Sequence, residues 1–125
     1  MRTDAILVVD DEAYIIGMYT RLLGGWSGDV LTAQSLDVAH GAYNTSREHL
    51  AAIILDGCVP GSSLNTGPFI EMVVGDIRQG RFYGVLVAAS SLRSYRDQMV
   101  ALGCTHQSPK DDAVAMVLDL LKTRA

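Results

Sequence analysis

The chain has 125 residues, the size of one domain, with 49% hydrophobic and 19% charged residues, enough apolar material for a core and too little charge for disorder. Its net charge is −4 and no basic stripe is visible, which argues against direct binding of nucleic acid. No apolar stretch approaches the ~20 residues that span a bilayer, and Arg2 is followed by Asp4 and a strand-like run rather than a signal-peptide core, so the chain reads as soluble and cytoplasmic.

Ile6-Leu7-Val8-Val9 is a fully apolar, β-branched run and predicts a buried strand that ends in Asp10-Asp11-Glu12. The period then changes. Ile15, Met18, Tyr19, Leu22 and Leu23 recur at three- and four-residue steps, one face of a helix that Gly24-Gly25 stops. Trp26 follows and is expected to pack at a loop edge. Val30 to Ala33 predicts a second strand. Ser35 is the N-cap of a helix carrying Leu36, Val38, Ala39 and Tyr43, and 44–48 is expected to be a polar loop.

The third strand runs over 51–55, Ala-Ala-Ile-Ile-Leu, and stops at Asp56. An irregular stretch over 57–67 follows, with Pro60, Gly61, Ser62, Ser63, Asn65 and Gly67. Pro68 suits the first turn of a helix whose apolar face is Phe69, Ile70, Met72, Val73 and Ile77. Val85 to Ala89 is a fourth apolar run, followed by Ser90-Ser91. A helix with Leu92, Tyr95, Met99 and Leu102 ends at Gly103. The stretch 104–108 is a fifth strand of poor composition, closed by Pro109-Lys110. The last helix shows Val114, Val117, Leu118 and Leu121 on one face, and Lys122 and Arg124 near its C-terminus suit its dipole.

Strand and helix thus alternate five times. The implied fold class is α/β, a (βα)5 chain with a five-stranded parallel sheet and helices on both faces, one domain over residues 1–125. Ligands of such folds bind beyond the C-terminal strand ends. Asp10, Asp11, Asp56, Ser90 and Lys110 all fall at such ends. Carboxylates clustered there repel one another unless a cation sits among them, and an all-oxygen donor set suits Mg2+. A carboxylate beside such an ion can be a nucleophile that forms an acyl phosphate, with the metal and a lysine neutralising the transferring group. Cys58 and Cys104 are isolated and read as free thiols, and His40, His49 and His106 share no metal-like spacing.

Ile-Leu-Val-Val-Asp-Asp-Glu at 6–12, Ile-Leu-Asp at 54–56 with Pro60, and Gly103 followed by Lys110 together resemble the receiver domain of two-component response regulators. The resemblance spans essentially the whole chain. It implies a flavodoxin-like, CheY-like fold that accepts a phosphoryl group from a histidine kinase or a histidine phosphotransfer protein, with Mg2+ as cofactor. By position it makes Asp56 the phospho-acceptor, Asp10 and Asp11 the acidic pair at the metal, and Cys58 the residue whose backbone carbonyl reaches the metal. Lys110 becomes the lysine that contacts the phosphoryl group. It implies no enzyme beyond phosphorylation and dephosphorylation of Asp56 itself. The face of the fourth helix, fifth strand and fifth helix, with Arg93, Arg96, Gln98 and Gln107, would meet a downstream protein or a second copy of the chain.

The sequence also departs from that pattern. The family places Ser or Thr at the end of the fourth strand. Counting back from Gly103 gives Ala88, aligning the apolar run gives Ala89, and a shortened loop gives Ser90, the residue taken here as the site hydroxyl. Gln107 stands where the family's switch aromatic would fall, and Pro109 precedes Lys110 in place of the usual Lys-Pro order. These departures motivate an alternative: a pseudo-receiver that works through protein contacts without phosphorylation. A phosphohydrolase resembling the haloacid dehalogenases would want a second aspartate where Cys58 stands.

Overall fold

A computed structural model describes residues 3–60 and 63–123. The parts of the reading that rest on Arg2, Gly61, Ser62 and Arg124 lie outside them. The apolar runs form strands and the three-to-four-residue repeats form helices. β1 (Ala5–Val9), β2 (Val30–Ala33), β3 (Leu50–Leu55), β4 (Val85–Ala88) and β5 (His106–Gln107) build one parallel sheet in the order β2-β1-β3-β4-β5. The helices are α1 (Ala13–Leu22), α2 (Leu36–Ser46), α3 (Gly67–Arg78), α4 (Arg93–Leu102) and α5 (Ala113–Thr123). This is the expected flavodoxin-like (βα)5 fold. No helix among the described residues is long and apolar enough to cross a membrane.

Alternation along each strand divides the core in two. Leu7, Val9, Ile53, Leu55 and Leu86 face Tyr43 of α2 and Phe69, Ile70 and Val73 of α3. Ile6, Val8, Ile54 and Val87 face Ile15 and Tyr19 of α1 and Val114 and Val117 of α5. Both faces of the central strands are therefore dry, which is why their sequences are continuously apolar. Each such buried Val, Leu or Ile contributes about 1.5–3 kcal/mol relative to exposure.

Local signals behave as read at several places. Ser35 Oγ accepts the Val38 N–H at 3.2 Å and caps α2. Gly103 ends α4 with φ +124°, and a Cβ there would meet Val74 Cγ2, so both backbone and packing demand glycine. Trp26 is half-buried at the loop between α1 and β2.

Four boundaries differ from the sequence reading. The expected loop at 44–48 is instead helical: α2 runs to Ser46 and a 3-10 turn covers Arg47–His49. Asp76 of α3 anchors this polar end, accepting from Tyr43 Oη at 2.7 Å and pairing with Arg47 at 3.4 Å. α3 begins at Gly67, one residue before Pro68, and β4 stops at Ala88. β5 shrinks to His106–Gln107 because it is a half-exposed edge that only β4 needs to pair.

Candidate functional site

The sheet ladder continues one residue beyond the strands and fixes the site's backbone. Asp10 N–H donates to Ala33 O at 3.1 Å, Asp56 N–H to Val9 O at 2.9 Å, Ala89 N–H to Leu55 O at 2.8 Å, and Ser108 N–H to Ala88 O at 2.9 Å. β2 lies on one side of β1 and β3 on the other, so the strand order reverses between them. Asp10 and Asp56 project at that reversal, where such folds bind ligands.

Both carboxylates are buried, Asp10 at 0% and Asp56 at 6% exposure. Asp11 joins them from the turn before α1. Each of the three offers an oxygen within 4.8 Å of the others. Asp10 Oδ1 accepts the Glu12 N–H at 2.9 Å, so the same side chain also shapes the entry to α1. Asp56 Oδ1 accepts the Gly57 N–H at 2.8 Å.

Lys110 enters from the 3-10 turn Lys110–Asp112 that follows β5. Its Nζ stands 2.8 Å from Asp10 Oδ2, 3.5 Å from Asp56 Oδ2 and 3.8 Å from Glu12 Oε1. The reversed Pro109-Lys110 order therefore still delivers the ammonium to the carboxylates. Burial pulls the lysine's pKa down, but the bond to Asp10 and the charges of Asp56, Asp10 and Glu12 outweigh it and the pKa rises.

One lysine does not neutralise the cluster. Burial first, then the charges of Asp10 and Asp11, push the Asp56 carboxyl up to about 6, although Lys110 and the Gly57 N–H act the other way. Uncompensated negative charge on hard oxygen donors is what a divalent ion such as Mg2+ would neutralise, so the residues present fit that metal. The field extends to α1, where burial and then Asp10, Asp56 and Asp111 hold the Tyr19 phenol neutral. Sequence reading saw Tyr19 only as core; its place one helical face away from the Asp10 turn was the available signal.

A cleft of about 230 Å³ opens over Asp56, walled by Asp11, Glu12, Cys58, Ser90, Leu92 and Lys110. Of the three candidates for the hydroxyl position, Ala88 and Ala89 are buried in the two core clusters, and Ser90 lines the cleft. Ser90 Oγ accepts the Leu92 N–H at 3.2 Å, and Ser90 O accepts Arg96 Nη1 at 2.7 Å. Arg96 Nε also reaches Gln107 Oε1 at 3.3 Å, and Gln107 Nε2 donates to Asp97 at 3.1 Å. Gln107 thus fills the expected aromatic position with a polar clasp between β5 and α4. The Cys58 thiol is pushed up by burial and then by Asp56 and Asp11, so it remains a protonated wall of the cleft.

Five parallel strands in the order β2-β1-β3-β4-β5, with helices between them, form the CheY-like fold of response-regulator receiver domains. The chain has that CheY-like fold. It is similar to chemotaxis protein CheY4 of Vibrio cholerae, at 20% identity and TM-score 0.72, over 97% of this chain and 98% of that one. It is similar to the receiver domain of Francisella response regulator 1452, at 16% identity and TM-score 0.73, over 98% and 99% of the two chains. The receiver domain of NtrX from Brucella abortus matches at 19% identity and TM-score 0.69, over 94% and 95%. No family model matches the sequence, and no curated protein matches it by sequence.

Proposed function

We propose that the chain is a phosphorylatable receiver of a two-component or phosphorelay system, with Asp56 as its phospho-acceptor. The observation that carries this reading is the meeting of Asp10, Asp11 and Asp56 with Lys110 at one strand-end cleft. A histidine kinase or histidine phosphotransfer protein supplies the phosphoryl group. The Asp56 carboxylate attacks phosphorus, the phosphorus–nitrogen bond breaks, and the imidazole leaves with a proton. Asp10, Asp11, Asp56 and the Cys58 backbone carbonyl would hold Mg2+, which when bound would offset charge on the phosphoryl oxygens. Lys110, whose ammonium already lies 3.5 Å from Asp56 Oδ2, is the donor for one of those oxygens, and the Ser90 hydroxyl, at the cleft wall, is the donor for another.

The response leaves through the face of α4, β5 and α5, toward a downstream protein or a second copy of the chain. Arg93 is exposed there, while Arg96 and Gln107 are half-buried in their clasp. The domain acts as a cytoplasmic switch, and its only chemistry is gain and loss of the phosphoryl group.

Incubation with acetyl phosphate and Mg2+ tests the reading. One phosphoryl group is expected per chain, at Asp56, with none when Mg2+ is chelated. Labelling that persists in Asp56→Asn would overturn it.

A further inference from the structure

The loop over 57–67 is irregular in sequence but tied at nearly every backbone group around Cys58. Asn65 does most of this. Its Oδ1 accepts the Val59 N–H at 2.8 Å, and its Nδ2 donates to Val59 O at 3.0 Å and to Pro60 O at 3.2 Å. Its own N–H donates to Gly57 O at 3.0 Å, and Thr66 Oγ1 donates to the same oxygen at 3.2 Å. A Cβ on Gly57 would lie 2.9 Å from Leu64 Cδ1, so the loop closes tightly over the turn. The peptide groups on both sides of Cys58 are thereby committed to Asn65 and Thr66, and Cys58 itself lines the cleft beside Asp56.

We infer that Asn65 is a positioning residue for the divalent-ion site: it fixes the turn that presents the Cys58 carbonyl, and Thr66 assists it. The inference rests on the functional reading above, in which that carbonyl is a metal ligand. Backbone carbonyls have no rotamer to adjust. Their direction is set by the hydrogen bonds of the neighbouring peptides, the role that outer partners play for side-chain ligands. Asn suits the task because one amide both accepts from and donates to backbone, bridging the two ends of the loop. No contact between Asn65 and the ion is needed.

The test is Mg2+ affinity of the full chain, read by calorimetry and by amide chemical shifts around Asp56. Trp26 fluorescence suits it less, because the indole Nε1 bonds Asp4 O, at the end of β1 remote from Asp10. Asn65→Ala is expected to raise the Mg2+ Kd by about tenfold, the lower end of the cost of losing a ligand-orienting partner. Thr66→Val, which keeps the volume and loses one bond, is expected to raise it roughly threefold and decides the matter if Asn65→Ala does not fold. Ser35→Ala removes a helix cap elsewhere, and its Mg2+ Kd is expected to match the parent's. Asn65→Ala and Thr66→Val affinities within twofold of the parent, or an equal loss in Ser35→Ala, would overturn the inference while leaving the receiver reading standing. A parent chain that binds no Mg2+ would remove both.

Discussion

Asp56→Asn is expected to make the protein more stable. The carboxyl is held up from an ordinary 3.8 to about 6, chiefly by burial and by Asp10. The folded form therefore binds its proton more tightly than the unfolded chain, and ionising it works against folding. At ~1.4 kcal/mol per pH unit, the gap costs the ionised fold about 3 kcal/mol at pH 7 and above. The cost fades as pH falls through about 6 toward 3.8, and near pH 5 it is roughly half as large. Asparagine is nearly isosteric, keeps an acceptor for the Gly57 N–H, and leaves Lys110 paired with Asp10 at 2.8 Å. A gain of about 1–3 kcal/mol at pH 7.5 follows, a rise of roughly 1 M in the urea midpoint for a domain of this size. The assay is urea unfolding without divalent ions at pH 7.5 and pH 4.5. An unchanged or lower midpoint at pH 7.5 would refute the reasoning, as would a gain that grows toward pH 4.5.

Saturating Mg2+ is expected to stabilise the parent chain against urea, by about 2.7 kcal/mol at a hundredfold excess over Kd. Asp11→Asn should lose most of that stabilisation, and a full Mg2+ response in the variant would show that Asp11 is not a ligand. Lys110→Met removes the cation nearest Asp56, so the Asp56 titration followed by carbon NMR should move above about 6; a midpoint that stays put would mean Lys110 is not felt there. Gly103→Ala forces a Cβ onto a backbone with φ +124° against Val74, and should cost about 1–3 kcal/mol. Adding Val74→Ala should recover only the packing part of that loss, and full recovery would argue that the backbone is unstrained.

What could be read from the sequence follows from what burial dictates. Ile6 to Val9 and Ile53 to Leu55 are apolar on both faces because both faces are covered, so their strands and the acids that end them were legible. Lys110 was found despite its reversed proline because its place after β5, not its neighbour, brings it to Asp10. The helical end at 44–48 was not legible, because its partner Asp76 lies on α3, far along the chain. β5 was blurred for a similar reason: Gln107 satisfies its polar side chain through Arg96 and Asp97 rather than by burial. Asn65 looked like one more polar loop residue. Only its side-chain hydrogen bonds back along the loop, two to Val59 and one to Pro60, mark it out.

The ladder that continues past β3 also separates two timescales. Asp56 is tied to β1 through its own N–H, and its strand is held by β4 through Ala89. Hydrogen exchange at the Asp56 amide therefore requires the central sheet to open, and its opening free energy should approach that of global unfolding. Ser90 and Lys110 stand on connections outside the strands, where opening is cheaper. The backbone that carries the Asp56 carboxylate thus keeps a constant geometry, whatever the surrounding loops are doing. Substitutions in those connections can therefore shift Ser90 and Lys110 while the backbone of Asp56 stays where the sheet sets it.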